Sequence, residues 1–229
     1  MFEKVLKSTQ IIEKLKNKNV RFFSCDNVSD HINSSDIEEL INELTSKFEG
    51  ILDTLLIDWR NDPNAKGTPR RLAKMNFNEI LRGRYEPEPD AAAFPNEGIE
   101  FYKGMLVTKT SIHSICSHHH QPVTGTCYIG IIPGKKVIGL SKYSRIAQHH
   151  ARRGTLQEEL TVRIAQRIKD VTDSDDVAVY IEAKHGCCDH RGIMSPDSTT
   201  QTCTIYGQFD TDPAVKAEFY QQIQLQKSK

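Results

Sequence analysis

The first third of the chain carries the pattern of amphipathic helices. After Ser35, apolar residues recur at three- and four-residue spacing and form one continuous stripe, through Ile37, Leu40, Ile41, Leu44, Phe48, Ile51, Leu52 and Leu55. The tetrapeptide from Ser35 to Glu38 has the sequence of a capping box, so this helix is predicted to begin there. A second helix is predicted from Thr68 to about Leu81, because Thr68 can cap it and Pro69 suits its first position.

From residue 99 onward the pattern becomes that of strands. Segments near 99–115, 126–132 and 135–140 are β-like, and Pro133-Gly134 predicts a tight turn between the last two. A later strand is predicted to be half-buried because every second residue is apolar, at Val177, Val179, Ile181 and Ala183. Residues 199–209 are predicted to form a further strand.

Helices are predicted among these strands. Ser141 is expected to cap a helix that runs to about Arg153, and Thr155 to Glu158 form a second capping-box sequence. The helix after that box has a predicted buried face, formed by Leu160, Ile164, Ile168 and Val171. Asp212-Pro213 is expected to begin a final helix. This order predicts an α+β fold, in which an antiparallel sheet carries helices on one face and has an N-terminal helical extension.

Changes in composition and hydrophobic pattern along the sequence also predict three segments. Residues 1–33 are polar and weakly patterned, and we expect a flexible N-terminal arm. Residues 34–98 form a predicted helical region that ends in a loop rich in Pro, Glu, Ala and Asp. Residues 99–229 form the predicted main domain.

Composition narrows the classes of partner. Lys and Arg number 30 and Asp and Glu number 30, so no global field favours nucleic acid or an anionic membrane as a partner. No apolar run approaches the roughly 20 residues of a bilayer span, and the first residues do not resemble a signal peptide. A cytoplasmic protein is therefore expected. In a reducing compartment its six cysteines are predicted to serve metal binding or catalysis rather than disulfides.

Two separated clusters of Cys and His carry the strongest chemical signal. One is the run from Cys116 to His120, and the other is His185-Gly186-Cys187-Cys188 at the end of the alternating strand. Two ligands from the first cluster and a thiolate from the second would bind zinc and leave the fourth position free, as in catalytic sites. Spacing alone leaves His119 and His120 both open as ligand. The alternative interpretation is that these histidines are surface residues and these cysteines are core residues without a metal.

Charged residues form a second group of candidate site residues, and their functional signal is weaker than that of the Cys and His clusters. Taken singly, each of the cations is expected to be a solvated surface charge, but together they could bind a polyphosphate: Arg71, Lys74, Lys142, Arg145 and Arg191. Glu158 is expected to serve the capping box. Its carboxylate could instead accept both N1–H and N2–H₂ of a guanine, with Gln157 beside it.

In order along the chain, these residues resemble the motifs of the GTP cyclohydrolase I family. The resemblance rests on the segments Thr68 to Met75, Cys116 to His119, Gly139 to Ile146, Leu156 to Thr161 and His185 to Gly192, and it covers about residues 36–220. It implies that residues 99–229 form a T-fold, or tunnelling-fold, catalytic domain. It also implies a homo-oligomer, a toroidal decamer with active sites between subunits.

The resemblance further implies the role of each site residue. Zinc would be held by Cys116, His119 and Cys187. His118 and His185 would be the proton-transfer pair. The substrate would be contacted by Glu158 with Gln157 at the guanine, by Ser141 at the ribose, and by Arg71, Lys74, Lys142, Arg145 and Arg191 at the triphosphate. GTP and water would give formate and 7,8-dihydroneopterin triphosphate, with no redox cofactor. The downstream pathway (folate, biopterin or deazaguanine) and the choice between GTP and dGTP stay open.

The chain departs from the family pattern at a few positions, and two other functions compete. Ser117 stands where the family usually has Glu, and we interpret the extra histidines as surface or core residues: His120, His149, His150 and His190. One competing function is a catalytically silent, zinc-stabilised oligomeric T-fold binding module. The other is a reductase of the same fold that acts on a nitrile-bearing deazaguanine with a nucleophilic Cys and NADPH.

Overall fold

The computed structural model describes residues 5–98 and 101–228. The first four residues of the predicted arm, the first two of the strand predicted near 99–115, and the last residue of the predicted main domain lie outside the described residues. The chain separates into two compact units, Met1–Pro87 and Glu88–Lys229. The division into three segments at residues 33 and 98 stays a prediction.

The first unit is helical, as its periodicity predicts. Its elements are α1 (Lys7–Asn17), a 3-10 turn (Ser29–His31), α2 (Ser34–Thr54), α3 (Thr68–Met75), a π-helical turn (Asn76–Ile80) and α4 (Arg82–Tyr85). Helix α1 lies in the segment predicted to be an arm, and it contacts α2: the Ser8 backbone N–H donates to Glu43 Oε2 at 2.9 Å. Within the described residues, no helix combines the length and the apolar composition that crossing a membrane requires.

The capping box of α2 is shifted from its predicted place. Asn33 is the N-cap residue, and its side chain accepts from the Asp36 N–H while the Asp36 carboxylate accepts from the Asn33 N–H. The prediction at Ser35 was wrong because Asn33 is the last residue with extended backbone, so that Ser35 already lies inside the helix.

The second unit alternates strands and helices. Its elements are β1 (Ala93–Pro95), β2 (Leu106–Ile115), β3 (Pro122–Ile131), β4 (Lys136–Ile138), α5 (Leu140–Ala151), α6 (Gln157–Thr172), β5 (Val177–His185), α7 (Gly186–Asp189), β6 (Thr200–Ile205), α8 (Gln208–Thr211) and α9 (Pro213–Lys227). The main sheet is antiparallel with strand order β2-β3-β5-β6, and β1 pairs with β4 separately. A mixed fold of helices and antiparallel sheet is therefore confirmed.

Helices cover both faces of the main sheet, not one as predicted. On the first face the sheet packs against α5 and α6, in a core that includes Ile112, Ile129, Ile181, Ile146 and Ile164. On the second face it packs against α8 and α9, through Tyr128, Ala178, Tyr180, Phe209, Phe219 and Ile223. The strand predicted to be half-buried is thus buried on both faces. Gly130 permits this contact, because a Cβ there would lie 2.7 Å from the Phe219 ring.

Two predicted side-chain caps of the second unit are also absent. The N-cap residues of α5 and α6 are Gly139 and Leu156, and neither helix receives a side-chain capping hydrogen bond. The Thr155 hydroxyl instead donates to the carbonyl oxygen of Leu156 at 3.3 Å. Because Glu158 is therefore not committed to a capping box, its exposed carboxylate is available for other contacts.

Candidate active site

The order of the strands brings the two Cys/His clusters together. Strand β3 lies between β2 and β5 and is antiparallel to both, so β2 and β5 run in the same direction and end at the same edge of the sheet. Ile115 at the end of β2 pairs with Pro122, and His185 at the end of β5 pairs with Val123. The residues that follow β2 and β5 therefore meet at the start of β3.

Three potential metal ligands meet at this edge. The ligand atoms of Cys116, His119 and Cys187 all lie within 4.8 Å of one another. Cys116 is buried and Cys187 half-buried, whereas His119 is exposed. The turn is closed by two hydrogen bonds: the Cys116 N–H donates to the Gln121 carbonyl, and the His120 N–H donates to the Cys116 carbonyl, each at 2.9 Å. Of the two histidines that spacing left open, His119 belongs to this group of three and His120 does not.

The chemistry of this group suits a zinc ion. Two sulfur atoms and one imidazole nitrogen are donors that Zn²⁺ prefers, and three protein ligands leave a fourth position for a reactant. Burial, together with the neighbouring thiols of Cys188 and Cys116, raises the pKa of the Cys187 thiol to about 11. Crowded thiols resist ionisation in this way until a cation compensates their charge, so the residues present fit a metal.

His185 is held by a buried amide. Its Nε2 lies 2.8 Å from Gln157 Oε1. The amide nitrogen of Gln157 contacts the carbonyl oxygens of Ile181 and Thr200 and the hydroxyl of Thr202, at 3.2, 3.0 and 3.1 Å. Gln157 is only 3% exposed, so the side chain predicted to lie beside the guanine is engaged by protein groups at both ends.

Glu158 lies close enough to His185 to influence its charge. Burial lowers the pKa of His185, and the Glu158 carboxylate acts in the opposite direction. Glu158 is exposed in the first turn of α6, next in sequence to the buried Gln157. The N-terminus of α6 therefore presents one buried amide and one exposed carboxylate around the same histidine.

The structure does not bring all the predicted residues into this group. His118 is exposed on the turn after β2, with its ring centroid 6.2 Å from that of His119, and within residues 101–228 no hydrogen bond links it to His185. Ser141 and Arg145 are exposed on α5, and Lys142 Nζ donates to the Asp90 carbonyl oxygen at 2.7 Å. Arg191 is exposed after α7.

Two predicted phosphate ligands belong to the first unit. Arg71 and Lys74 are both exposed on α3. The Arg71 guanidinium donates to the Asn64 carbonyl oxygen and to the Thr68 hydroxyl, both at 3.1 Å.

A second histidine group surrounds Glu88. His149 Nε2 and His150 Nε2 lie 3.8 and 3.5 Å from Glu88 Oε1, and Arg153 donates a hydrogen bond to the same oxygen. Arg167 Nε lies 3.7 Å from Glu88 Oε2. His149 and His150 are both buried, which agrees with their interpretation as core residues. Burial, together with the surrounding cations, lowers the pKa of His150 to about 2.

Comparison with known proteins places this site in a family. A family profile described as GTP cyclohydrolase I matches residues 44–224, which is more than half of the chain. The chain belongs to the GTP cyclohydrolase I family. The match includes Cys116, His119 and Cys187, so the group of three ligand atoms lies inside the family region.

Relatives with the family's name match most of the chain. The protein named GTP cyclohydrolase 1 of Flavobacterium johnsoniae is 40% identical over 190 residues, which cover 82% of this chain and 83% of that protein. Its namesake from Pseudoalteromonas translucida is 37% identical and covers 80% of this chain and 98% of that protein. A solved structure of the apo archaeosine synthase QueF-Like covers 45% of this chain and 93% of that chain at 17% identity. Its TM-score of 0.38 is too low to support an inference.

Proposed function

We propose that this member of the GTP cyclohydrolase I family converts GTP and water to formate and 7,8-dihydroneopterin triphosphate with a zinc ion. The observation that carries the proposal is the convergence of the Cys116, His119 and Cys187 ligand atoms within 4.8 Å, in a chain that belongs to this family. Two thiolates and an imidazole would hold the ion. When bound, zinc acts as a Lewis acid and lowers the pKa of water to about 7.

The histidines of the site would move the protons. Opening the imidazole ring of a purine requires protons to be delivered to ring nitrogens and removed from the attacking oxygen. His185 lies at the end of β5, two residues before the proposed ligand Cys187, and His118 precedes the proposed ligand His119. Imidazole suits both directions of transfer near neutral pH, because its ordinary pKa is about 6.5.

The first turn of α6 would orient the guanine. A carboxylate offers two acceptor oxygens, and guanine presents N1–H and N2–H₂ as neighbouring donors on one edge. Glu158 is the exposed carboxylate nearest in sequence to the buried Gln157, and it already influences the pKa of His185. Binding at Glu158 would therefore place the purine beside the proton-transfer histidine.

Exposed cations would bind the triphosphate, and assembly would complete the site. Arg145 and Arg191 are exposed, and the Lys142 ammonium donates to a neutral carbonyl oxygen that does not cancel its charge, so these three charges are available to phosphate. Arg71 and Lys74 are proposed as further phosphate contacts, and Ser141 would approach the ribose. Membership of the family supports the T-fold and a toroidal homodecamer with sites between subunits.

Product analysis with metal control tests the proposal. The purified protein is incubated with GTP or dGTP, formate is measured, and the pterin is oxidised and read by its fluorescence. We expect formate and neopterin in equal amounts, loss of both after chelation, and recovery on addition of zinc. Turnover by verified metal-free protein would refute the zinc requirement. Zinc-loaded protein without any product would point to the silent binding module.

A further inference from the structure

The amide of Gln157 has only one orientation that satisfies its neighbours. One end of the amide lies against the carbonyl oxygens of Ile181 and Thr200, at 3.2 and 3.0 Å. Carbonyl oxygens accept hydrogen bonds and cannot donate them, so this end must be the NH₂ group. The opposite end, which faces His185, is therefore the amide oxygen.

This orientation determines where His185 carries its proton. The amide oxygen of Gln157 can only accept, and it lies 2.8 Å from His185 Nε2. Nε2 must then be the protonated nitrogen of the neutral ring, which leaves the lone pair on Nδ1. The tautomer of a histidine is generally set in this way, by the hydrogen bond that its other nitrogen makes.

We propose that Gln157 is a positioning residue that holds His185 as the Nε2–H tautomer and keeps Nδ1 open to accept a proton, and that Gln157 is not a guanine contact. Both N–H protons of its amide are taken by backbone carbonyls, and the residue is 3% exposed. A purine could reach this amide only by breaking those bonds. Of these two adjacent side chains, Glu158 is then the one that contacts the guanine edge.

The anchoring explains why the orientation of His185 would be fixed. Gln157 is the first residue of α6. The three acceptors of its amide nitrogen are the Ile181 carbonyl on β5 and the Thr200 carbonyl and Thr202 hydroxyl on β6. The amide is therefore clamped between a helix terminus and two paired strands. Rigid neighbours of this kind hold a catalytic group in its productive geometry, where small displacements cost large factors in rate.

The tautomer can be read directly, without turnover. Protein labelled with ¹⁵N-histidine and stripped of zinc is examined by magic-angle-spinning NMR, and the His185 signals are identified by their loss in His185→Asn. We expect Nε2–H in the wild type, where the amide oxygen of Gln157 faces the ring. Gln157→Met removes that acceptor at similar volume, and we expect a mixture of tautomers. An Nδ1–H wild type, or a pure Nε2–H signal in Gln157→Met, would overturn the proposal.

Kinetics separate positioning from substrate contact. This part rests on the proposed function, because it uses GTP. In Gln157→Met we expect kcat to fall about 10- to 100-fold, the range of a misplaced acid–base group. The Kd for GTP, measured on zinc-depleted protein, should stay within about twofold. A Kd weakened tenfold with kcat retained would make Gln157 a guanine contact.

A control variant on β6 tests whether the effect on His185 is specific to Gln157. Thr204→Val is the control, because the Thr204 hydroxyl lies on the same strand β6 but donates to the Thr161 hydroxyl at 2.9 Å, while the three acceptors of the Gln157 amide nitrogen named above are other groups. We expect its tautomer and kcat to match the wild type, and a changed tautomer would contradict the clamp. If wild-type protein releases no formate from GTP, the proposed function fails, while the NMR measurement still decides the role of Gln157.

Discussion

The second unit places histidines in two contrasting environments. At the sheet edge, His185 donates to an amide that is itself anchored to backbone carbonyls, next to three converging metal-ligand atoms. Around Glu88, His149 and His150 are more deeply buried, but they share one carboxylate with Arg153 and Arg167. Among the described residues, neither ring nitrogen of His150 makes a hydrogen bond.

The difference shows that burial alone does not identify a functional histidine. A reacting histidine needs a defined tautomer and an open nitrogen, and the Gln157 amide supplies the first for His185. Within residues 5–98 and 101–228, no hydrogen bond fixes the tautomer of His150, and burial together with nearby positive charges lowers its pKa to about 2. We therefore assign chemistry to the sheet edge and a packing role to the group around Glu88.

Removing a ligand atom should have the largest effect and should touch only the sheet edge. We expect Cys187→Ala to lose stoichiometric zinc and to lower kcat/KM by at least about 10³-fold, because two ligands rarely retain catalytic zinc. Metal analysis and the formate assay measure both quantities. Cys188→Ala is the matched control, since its sulfur lies 3.9 Å from that of Cys187 but outside the group of three. Stoichiometric zinc in Cys187→Ala would refute the ligand assignment.

Neutralising Glu88 should change the stability that depends on the histidines and arginines around it, and should leave the proposed active site unaffected. Glu88→Gln leaves Arg153 and its neighbours without their shared charge, and we expect a loss of about 2 kcal/mol in the free energy of unfolding. Because Glu88 has no role in the proposed site, kcat/KM should stay within about twofold. Urea denaturation and the formate assay test this. Asp90→Asn, which removes an exposed carboxylate two residues along, should change stability by less than about 0.5 kcal/mol.

Arg191 is an exposed cation that follows α7, whereas Arg153 beside Glu88 is buried. Replacing Arg191 tests whether an exposed cation contributes to substrate binding rather than to stability. Arg191→Ala should raise KM for GTP about 10- to 150-fold and leave kcat and stability nearly unchanged, because a charge-assisted hydrogen bond contributes about 1.5–3 kcal/mol. Steady-state kinetics with GTP provide the measurement. An unchanged KM would remove Arg191 from the phosphate site.

The last prediction concerns His150 and the pH dependence of stability. Its pKa is lowered from 6.5 to about 2 in the folded protein, so below pH 6.5 the unfolded chain binds a proton that the folded chain does not. Stability should therefore fall with decreasing pH from about 6.5, with a slope of at most about 1.4 kcal/mol per pH unit. Burial is the main cause of this lowered pKa, and the positive charges of Arg153, His149, Arg163 and Arg167 lower it further. The carboxylate of opposite charge that faces the ring is Glu88, whose Oε1 lies 3.5 Å from His150 Nε2.

Replacing the ring tests that assignment. His150→Phe removes two buried polar atoms without hydrogen bonds and should raise stability by about 1 kcal/mol at neutral pH. It should also flatten the slope between pH 6.5 and 4, as measured by urea denaturation at each pH. His113→Phe, at an exposed position of β2, is the control and should leave the slope unchanged. An unaltered slope in His150→Phe would show that other groups titrate.

Local patterns predicted most elements, and tertiary packing decided the rest. Asp212 caps α9 as predicted, because Asp before Pro is a signal contained in two adjacent residues. The second helix ends as α at Met75 and continues as a π-helical turn, which its apolar spacing does not reveal. The second face of β5 is buried through Ala178 and Tyr180, which stand between the alternating residues and are apolar too, so the uninterrupted apolar run from Val177 to Ile181 was the sequence signal that the alternating pattern missed. Which helix covers that face depends on where α9 folds back.

The candidate site likewise contains residues that sequence motifs predict and contacts that depend on tertiary packing. Cys116, His119 and Cys187 stand in short motifs, so their approach could be anticipated. The bond between Gln157 and His185 joins residues 28 positions apart and exists only because α6 packs on β5 and β6. Sequence patterns place Gln157 beside Glu158 and suggest a shared role, whereas the two side chains differ because one is buried and the other is exposed.

The position of β3 between β2 and β5 has a consequence for biosynthesis. Cys116 and Cys187 are separated by 71 positions, and they become neighbours only when both flanking strands have paired with the strand between them. A nascent chain released only as far as α6 contains two of the three proposed ligands, Cys116 and His119, and lacks the third. Metal capture would therefore be among the last events of folding, and tight retention of the ion would report that all three strands have found their correct register.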